Sequence, residues 1–225
     1  MTSGTQDLEF IYLNEEFYAE RVAPHDLDFL LEEGWRHFGE RFYRYTPGFY
    51  NDEIRIVLPL RIRLADFRPS KSQRRCLRKN ADLYARVVKA EVTPAINELF
   101  VAHRTRFTSH APDSIYDFLS MYPATRPCPG SMLEVVNEKD ELLAASFFEL
   151  GHTSVSSLYG MFRPEHSDRR LGIFTMLKEI EYGIENGKRY YYPGYAYDGE
   201  SFYDYKKRFS ALEYYNWQGD WLDFS

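Results

Sequence analysis

Cys76 and Cys128 are the two cysteines in 225 residues. So few exclude a disulfide framework and any paired-cysteine metal motif, and they make a reducing cytoplasm the expected compartment. No apolar run approaches the roughly 20 residues of a membrane-spanning helix, so no membrane partner is expected. The opening MTSGTQDLEF lacks a basic stretch followed by an apolar one, and no signal peptide is expected. Internal repeats and low-complexity linkers are also missing. Nor is there an excess of positive charge: 28 Lys and Arg stand against 34 Asp and Glu, a net charge of −6. That balance argues against general coating of nucleic acid, and against DNA as a partner, but leaves room for one local anion site.

What is present is a core-forming composition, 44 % hydrophobic and 17 % aromatic with 19 Tyr and 17 Phe. It fits one large globular domain or two small ones sharing an interface. Residues 24–38 read as a helix with Leu27, Leu30, Leu31 and Trp35 on one side, stopped by Gly39. EIRIVLPLRIRL, residues 53–64, alternates as a strand does, and Pro59 predicts an edge or a bulge. LYARVVKAEV reads as a strand, and residues 95–107 and 114–121 as helices. SMLEVVNEKDELLAASFFEL is two strands around a polar turn, and TSVSSLYGMF is a third. A helix follows over about 170–186, with Ile173, Leu177, Ile180 and Ile184 in one stripe and Gly187 to end it. RYYYPGYAY is a buried strand broken at Pro193-Gly194, and residues 211–224 form a last strand region. This order resembles the GNAT acyltransferase fold. The expected class is α+β: an N-terminal α/β region with a basic helix, residues 1–110, packed on a GNAT-like region, residues 111–225.

One stretch contradicts the overall charge. In FRPSKSQRRCLRKNADLY, residues 67–84, Arg68, Lys71, Arg74, Arg75, Arg78 and Lys79 crowd together. Ser70 and Gln73 have capping-box spacing, which starts the helix near Ser70. Lys71, Arg74, Arg75 and Arg78 then fall on one face. Like charges this dense repel, so the stretch reads either as a solvated face or as a phosphate-binding one. Phe67 and Tyr84 are candidate stacking surfaces beside it.

Two other motifs bear on chemistry. In HSDRRLGIFTM, Ser167 or Asp168 can cap the following helix, and Arg169 and Arg170 favour an anion there; an ordinary capped helix with solvated arginines is the alternative. Arg169 and Gly172 fit the diphosphate pattern of acyl-CoA-dependent GNAT enzymes, but Phe174 stands where that pattern wants a small residue. In YYYPGYAYDGESFYDYKKRF, a strand break lined with phenols and followed by Lys206, Lys207 and Arg208 is either a small-molecule pocket or a hydrophobic strand before a basic turn.

Taken together, GWRHFG with Tyr43-Arg44, FRPSKSQRRCLRKNADL, RRLGIF, YYYPGY and YKKRF resemble the aminoacyl-tRNA–protein transferases. That group includes arginyl-tRNA–protein transferases and the bacterial leucyltransferases acting on N-terminal Asp and Glu. The likeness runs from about Phe10 to Trp221. The chain departs from the family in three places. Phe10 stands where an early Cys is usual, YRYTPGFYNDEIRIVLPLRI lacks the family's cysteine cluster, and Arg163 precedes Pro164 in place of an acidic residue, with Glu165 kept. No metal or other cofactor is expected.

The resemblance implies an aminoacyltransferase moving an amino acid, arginine or leucine, from aminoacyl-tRNA to the α-amine of an acidic protein or peptide N-terminus. Arg68, Lys71, Arg74, Arg75, Arg78 and Lys79 would hold tRNA. The reaction would occur near Tyr192, Gly194 and Tyr195, where the broken strand exposes backbone donors. Tyr205, Lys206 and Arg208 would bind the acceptor. Tyr195 and Glu149 are candidates for a general base on residue type alone. Two alternatives remain: an acyl-CoA-dependent N-acyltransferase, disfavoured by Phe174, and a non-catalytic module binding tRNA or N-termini.

Overall fold

A computed structural model describes residues 12–107 and 111–224; Phe10 lies outside them. The chain opens with a small antiparallel sheet of β1 (Asn14–Tyr18), β2 (Arg36–Phe38) and β3 (Arg41–Tyr45), in the order β1-β3-β2. Helix α1 (Pro24–Glu32) connects β1 to β2. β4 (Pro47–Tyr50) leads into the long β5 (Glu53–Arg63), then α2 (Lys71–Lys79), β6 (Tyr84–Lys89) and α3 (Pro94–Arg104). β7 (Gly130–Val136), β8 (Leu142–Leu150) and β9 (Ser154–Phe162) form an antiparallel meander, followed by α4 (Leu171–Glu185) and β10 (Tyr190–Tyr197). β11 (Leu212–Tyr215) and β12 (Trp221–Asp223) close the chain. The large sheet has nine strands, running β12-β11-β5-β10-β9-β8-β7-β6 with β4 also on β5. The class is α+β and GNAT-like, as the element order predicts. The expected division near residue 110 does not follow the sheet, since β5 and β6 pair with strands of the second half.

The strand pleat puts successive side chains on opposite faces, and the two cores follow from it. Leu133 and Val135 of β7 and Ala144 of β8 join Leu177, Ile180 and Tyr191 in the core under α4. Met132, Ala145 and Phe147 turn the other way, onto Ile96, Leu99 and Phe100 of α3. Each fully buried Leu, Val, Ile, Met or Phe among them contributes roughly 1.5–3 kcal/mol relative to an exposed one. A third cluster of Leu27, Leu31, Phe42 and Tyr192 fixes the small sheet against the large one.

Three local expectations are corrected. The first helix ends at Glu32, because Gly34 takes φ +81° and turns the chain into β2; Gly39 serves the β2–β3 turn instead. A Cβ on Gly34 would also come within 3.1 Å of the Trp217 and Tyr215 rings. β5 is an interior strand, not an edge, and it carries Pro59 because β11 pairs from Leu60 onward and β4 only up to Ile56. The missing N–H of Pro59 faces that gap, and the register shift lies in β10, between Tyr191 and Gly194. Residues 114–121 hold a single 3-10 turn, Ile115–Asp117, capped reciprocally by Ser114 and Asp117.

Candidate active site

β9 and β10 run parallel, joined through α4, and pair only over Ser154–Ser156 and Tyr190–Tyr192. Beyond those residues β10 follows β5 through Gly194↔Leu60 and Tyr195↔Pro59 and leaves β9 behind. The wedge between them is a cleft lined by Ser157 and Leu158 on one wall and Pro193 to Tyr197 on the other. Arg36, Tyr43, Tyr45, Tyr203 and Lys206 line it too, with Phe38 and Val57. Such a split exposes main-chain groups that a continuous sheet would pair.

Two side-chain cations occupy those groups. Arg36, buried on β2, donates to the Ser156 hydroxyl at 3.0 Å and to the Ser157 carbonyl. Lys206 donates from Nζ to the Tyr195 carbonyl at 2.9 Å. Even-numbered residues of β5 bond to β10, as Leu64 does to Arg189 and Ile56 to Asp198. Tyr195, opposite Pro59, therefore turns its carbonyl and its N–H toward the cleft. Both cations converge on Gly194: a Cβ there would lie 3.2 Å from Lys206 Nζ and 3.8 Å from Arg36 Nη2, and φ of +94° disfavours any side chain. Neither cation has a carboxylate within ion-pair distance among the described residues, and Arg36 feels the charge of buried Glu179 at longer range. Burial, with the like charge of Arg36 as the second cause, pushes Lys206 down to about 7. Burial likewise raises Tyr43 to about 12 and Tyr195 well above the phenol range.

Beneath this cleft Glu179 of α4 is fully buried and accepts a 2.7 Å hydrogen bond from Tyr191. Burial pushes its carboxyl up to about 7, against the lowering effect of Ser146, Tyr191, Ser157 and the Arg36 charge. His37, Cys128 and Glu149 form a second buried group, their ligand-type atoms within 4.8 Å of one another. His37 Nε2 and Glu149 Oε2 touch directly at 2.5 Å, while His37 Nδ1 contacts the Gly39 carbonyl at 2.9 Å. Burial and the adjacent Glu149 raise the Cys128 thiol far above its ordinary value. The donors have the chemistry of a metal set, but they close on one another and link β2 to β8.

The basic helix is built as its sequence predicts. Ser70 and Gln73 make the reciprocal capping box. Gln73, Cys76 and Asn80 turn inward, leaving Lys71, Arg74, Arg75, Arg78 and Lys79 exposed. Lys79 pairs with Asp168 at 2.8 Å, and both are exposed. Arg68 and Arg74 donate to backbone carbonyls of their own segment. Among the described residues, Lys71, Arg75 and Arg78 have no carboxylate partner. The helix is tied to the cleft through one turn: Gln73 donates to the Arg208 carbonyl, and Ser210 bonds both the amide and the carbonyl of Arg68. That turn, Phe202–Arg208, carries Lys206 into the wedge.

Several candidate residues sit elsewhere. Tyr192 is buried in the third core, edge-on to Trp221, and outside the lining. Arg208 is exposed beyond the lining. Tyr205 packs against the main core. Glu149 is engaged by His37, and the Tyr195 hydroxyl donates to the Gly34 carbonyl at 2.6 Å, so neither is placed to take a proton in the cleft. Phe67 is buried against Phe209, which leaves Tyr84 as the exposed ring beside the basic helix. Ser167 and Asp168 do not cap α4; Arg170 does so in a left-handed conformation, without a side-chain bond. Phe174 is buried in the core and does not obstruct the loop. Arg169 is instead held bidentately by Asp82 at 3.0 and 2.9 Å. Arg36 and Tyr43 belong to the GWRHFG and Tyr43-Arg44 motifs, and with Tyr45 they reach the cleft from the small sheet.

A sheet split between parallel strands, with inward backbone groups and two cations bonded to them, fits a protein of the GNAT-like acyl-transfer class. FemX, a solved structure, superposes with a TM-score of 0.51 at 14 % identity, over 85 % of this chain and 65 % of that one, a likeness of fold. The family model "Arginine-tRNA-protein transferase, C terminus" matches residues 80–216, and the chain belongs to that family. It is 33 % identical to an aspartate/glutamate leucyltransferase of Xanthomonas euvesicatoria pv. vesicatoria (strain 85-10), over 73 % of this chain and 70 % of the relative. Another aspartate/glutamate leucyltransferase, from Stenotrophomonas maltophilia (strain R551-3), is 29 % identical over 92 % of this chain and 88 % of its own.

Proposed function

We propose that the chain transfers an amino acid, leucine or arginine, from its tRNA ester to the α-amine of a protein or peptide beginning with Asp or Glu. The observation that carries this reading is the pairing of two surfaces through one turn. An exposed cationic helix suits a polyanion, and a narrow split nearby holds two cations without carboxylates. The family's arginyl transferase and the relatives' leucyltransferase names supply the two donor candidates.

An aminoacyl ester needs no further activation, and the acceptor amine, with an ordinary pKa of about 7.7–8.0, is partly neutral at physiological pH. The protein's work is alignment and stabilisation of the oxyanion. Arg68, Lys71, Arg74, Arg75, Arg78 and Lys79 grip the tRNA backbone. The surface pair Lys79–Asp168 is exposed on both sides, so it is weak and yields readily to a phosphate. The Tyr195 N–H, turned into the wedge, is the donor for the developing oxyanion. Arg36 is the permanent cation for the acceptor's carboxylate, which it can bind without giving up Ser156. This assignment places Arg36 where Lys206 and Arg208 stood on sequence grounds. Arg169, the arginine that a diphosphate would use, is held by two parallel bonds to Asp82 that acyl-CoA would have to displace, a firmer hold than the single contact of Lys79 with Asp168.

The test is transfer from leucyl- and arginyl-tRNA to peptides beginning with Asp, Glu, Asn or Gln, read as mass gains of one residue. Asp and Glu peptides should be extended and Asn and Gln peptides left alone, and Arg36→Lys should raise KM for acidic peptides more than it lowers kcat. Equal extension of Glu and Gln peptides contradicts the acceptor assignment. Binding of charged tRNA with no extension of any peptide contradicts catalysis and favours the binding module.

A further inference from the structure

We propose that Lys206 is the proton-transfer residue of this reaction, its Nζ taking a proton from the attacking α-amine and returning it to the departing ribose oxygen. This deepens the function proposed above and rests on it.

Geometry carries the assignment. Lys206 is delivered by the Phe202–Arg208 turn into the wedge, where Nζ stands beside Gly194, the one cleft position without a side chain to intervene. One hydrogen bond, to the Tyr195 carbonyl, fixes Nζ and leaves its lone pair available when the amine is neutral. Other groups of titratable type near it are Arg36 from β2, the Tyr43 and Tyr45 phenols from β3, Tyr195 and Tyr197 of β10, and Tyr203 and Tyr205 on its own turn. Glu179 of α4 lies behind Arg36 and bonds Tyr191 instead. Among the described residues no carboxylate holds Lys206 as an ammonium, while burial and Arg36 both oppose its charge, which brings it to about 7. A base near working pH serves both directions of transfer. The two bases weighed on residue type are engaged, Glu149 by His37 and the Tyr195 hydroxyl by Gly34.

The step balances without a co-reactant. The neutral α-amine adds to the ester carbonyl, a C–N bond forms, and the carbonyl oxygen becomes an oxyanion facing the Tyr195 N–H. Neutral Lys206 removes one proton from the resulting ammonium. The tetrahedral centre collapses, the C–O bond to the terminal ribose breaks, and Lys206 protonates that oxygen. Tyr203, its ring centre 5.1 Å from Nζ, and the Tyr195 carbonyl steady the transient ammonium.

The experiment compares wild type, Lys206→Met and Lys206→Cys before and after alkylation with bromoethylamine. Alkylation gives a thioether amine more acidic than lysine's. Cys76 and Cys128 are buried thiols and remain unmodified in the folded protein. Each form is assayed for charged-tRNA binding and for transfer rate against pH at saturating acceptor. The expected result is unchanged tRNA binding and a transfer loss of about a hundredfold or more in Lys206→Met. Alkylation of the Cys variant should restore transfer, with the acid limb moved to lower pH. Lys206→Met transferring within a few-fold of an active wild type overturns the assignment alone, as does restoration with an unmoved limb. A wild type that transfers to no peptide overturns the function reading and this assignment with it.

Discussion

At the scale of single residues, the buried ionisable groups set how the protein responds to acid. His103 is 4 % exposed, with Nδ1 at 3.1 Å from the main chain of Phe162, and burial pushes its imidazole down to about 4. An unfolded imidazole titrates near 6.5, so between about 6.5 and 4 the unfolded chain binds a proton that the folded one does not. Stability present at pH 7 is lost as pH falls through that window, by about 2 kcal/mol at pH 5. Glu179 acts in the opposite sense: its raised folded value makes the folded chain take up a proton below about 7. Thermal melts at pH 7 and pH 5 should therefore show a smaller midpoint loss in His103→Gln than in wild type. Equal losses in the two proteins contradict this account of His103.

At the scale of elements, α2 is where local sequence and function coincide. Its capping box, inward Gln73 and Cys76, and outward cations are all readable from spacing, because the helix meets the fold along one narrow face. The central prediction for this element is charge reversal. Arg74→Glu combined with Arg75→Glu removes no buried contact, so the melting midpoint should stay close to wild type. Affinity for charged tRNA should fall steeply, and the slope of log affinity against log salt should drop by about one per cation lost. Filter binding across a salt series reads this. An unchanged slope contradicts phosphate contact by this face. By contrast, the stripe of Leu27, Leu30, Leu31 and Trp35 carries an apparent helical pattern past the true end of α1 at Glu32. Gly34 stops it, for a tertiary reason: the Trp217 and Tyr215 rings close over it.

At the scale of the molecule, strand order in the second half was legible because the meander, α4 and the Pro193-Gly194 break each carry their own local signal. The cleft was only half legible. Gly194, Tyr195 and Lys206 lie within one quoted motif, but Arg36, Tyr43 and Tyr45 come from the small sheet, more than a hundred residues away in sequence. No periodicity links those segments; the third hydrophobic core brings them together. The misplacement of Tyr192 has the same origin, since alternation at the β10 break decides which phenols face the wedge and which the core.

The central claim is that one polyanion spans α2 and the split between β9 and β10. Site-specific photocrosslinking tests it most directly, with a benzophenone amino acid placed at Arg75 in one protein and at exposed Tyr203 in another, each mixed with charged tRNA. The account predicts that both positions crosslink, Arg75 to the body of the tRNA and Tyr203 to its last nucleotides. Crosslinks from Arg75 without any from Tyr203, or tRNA ends mapped to a different face, would contradict it.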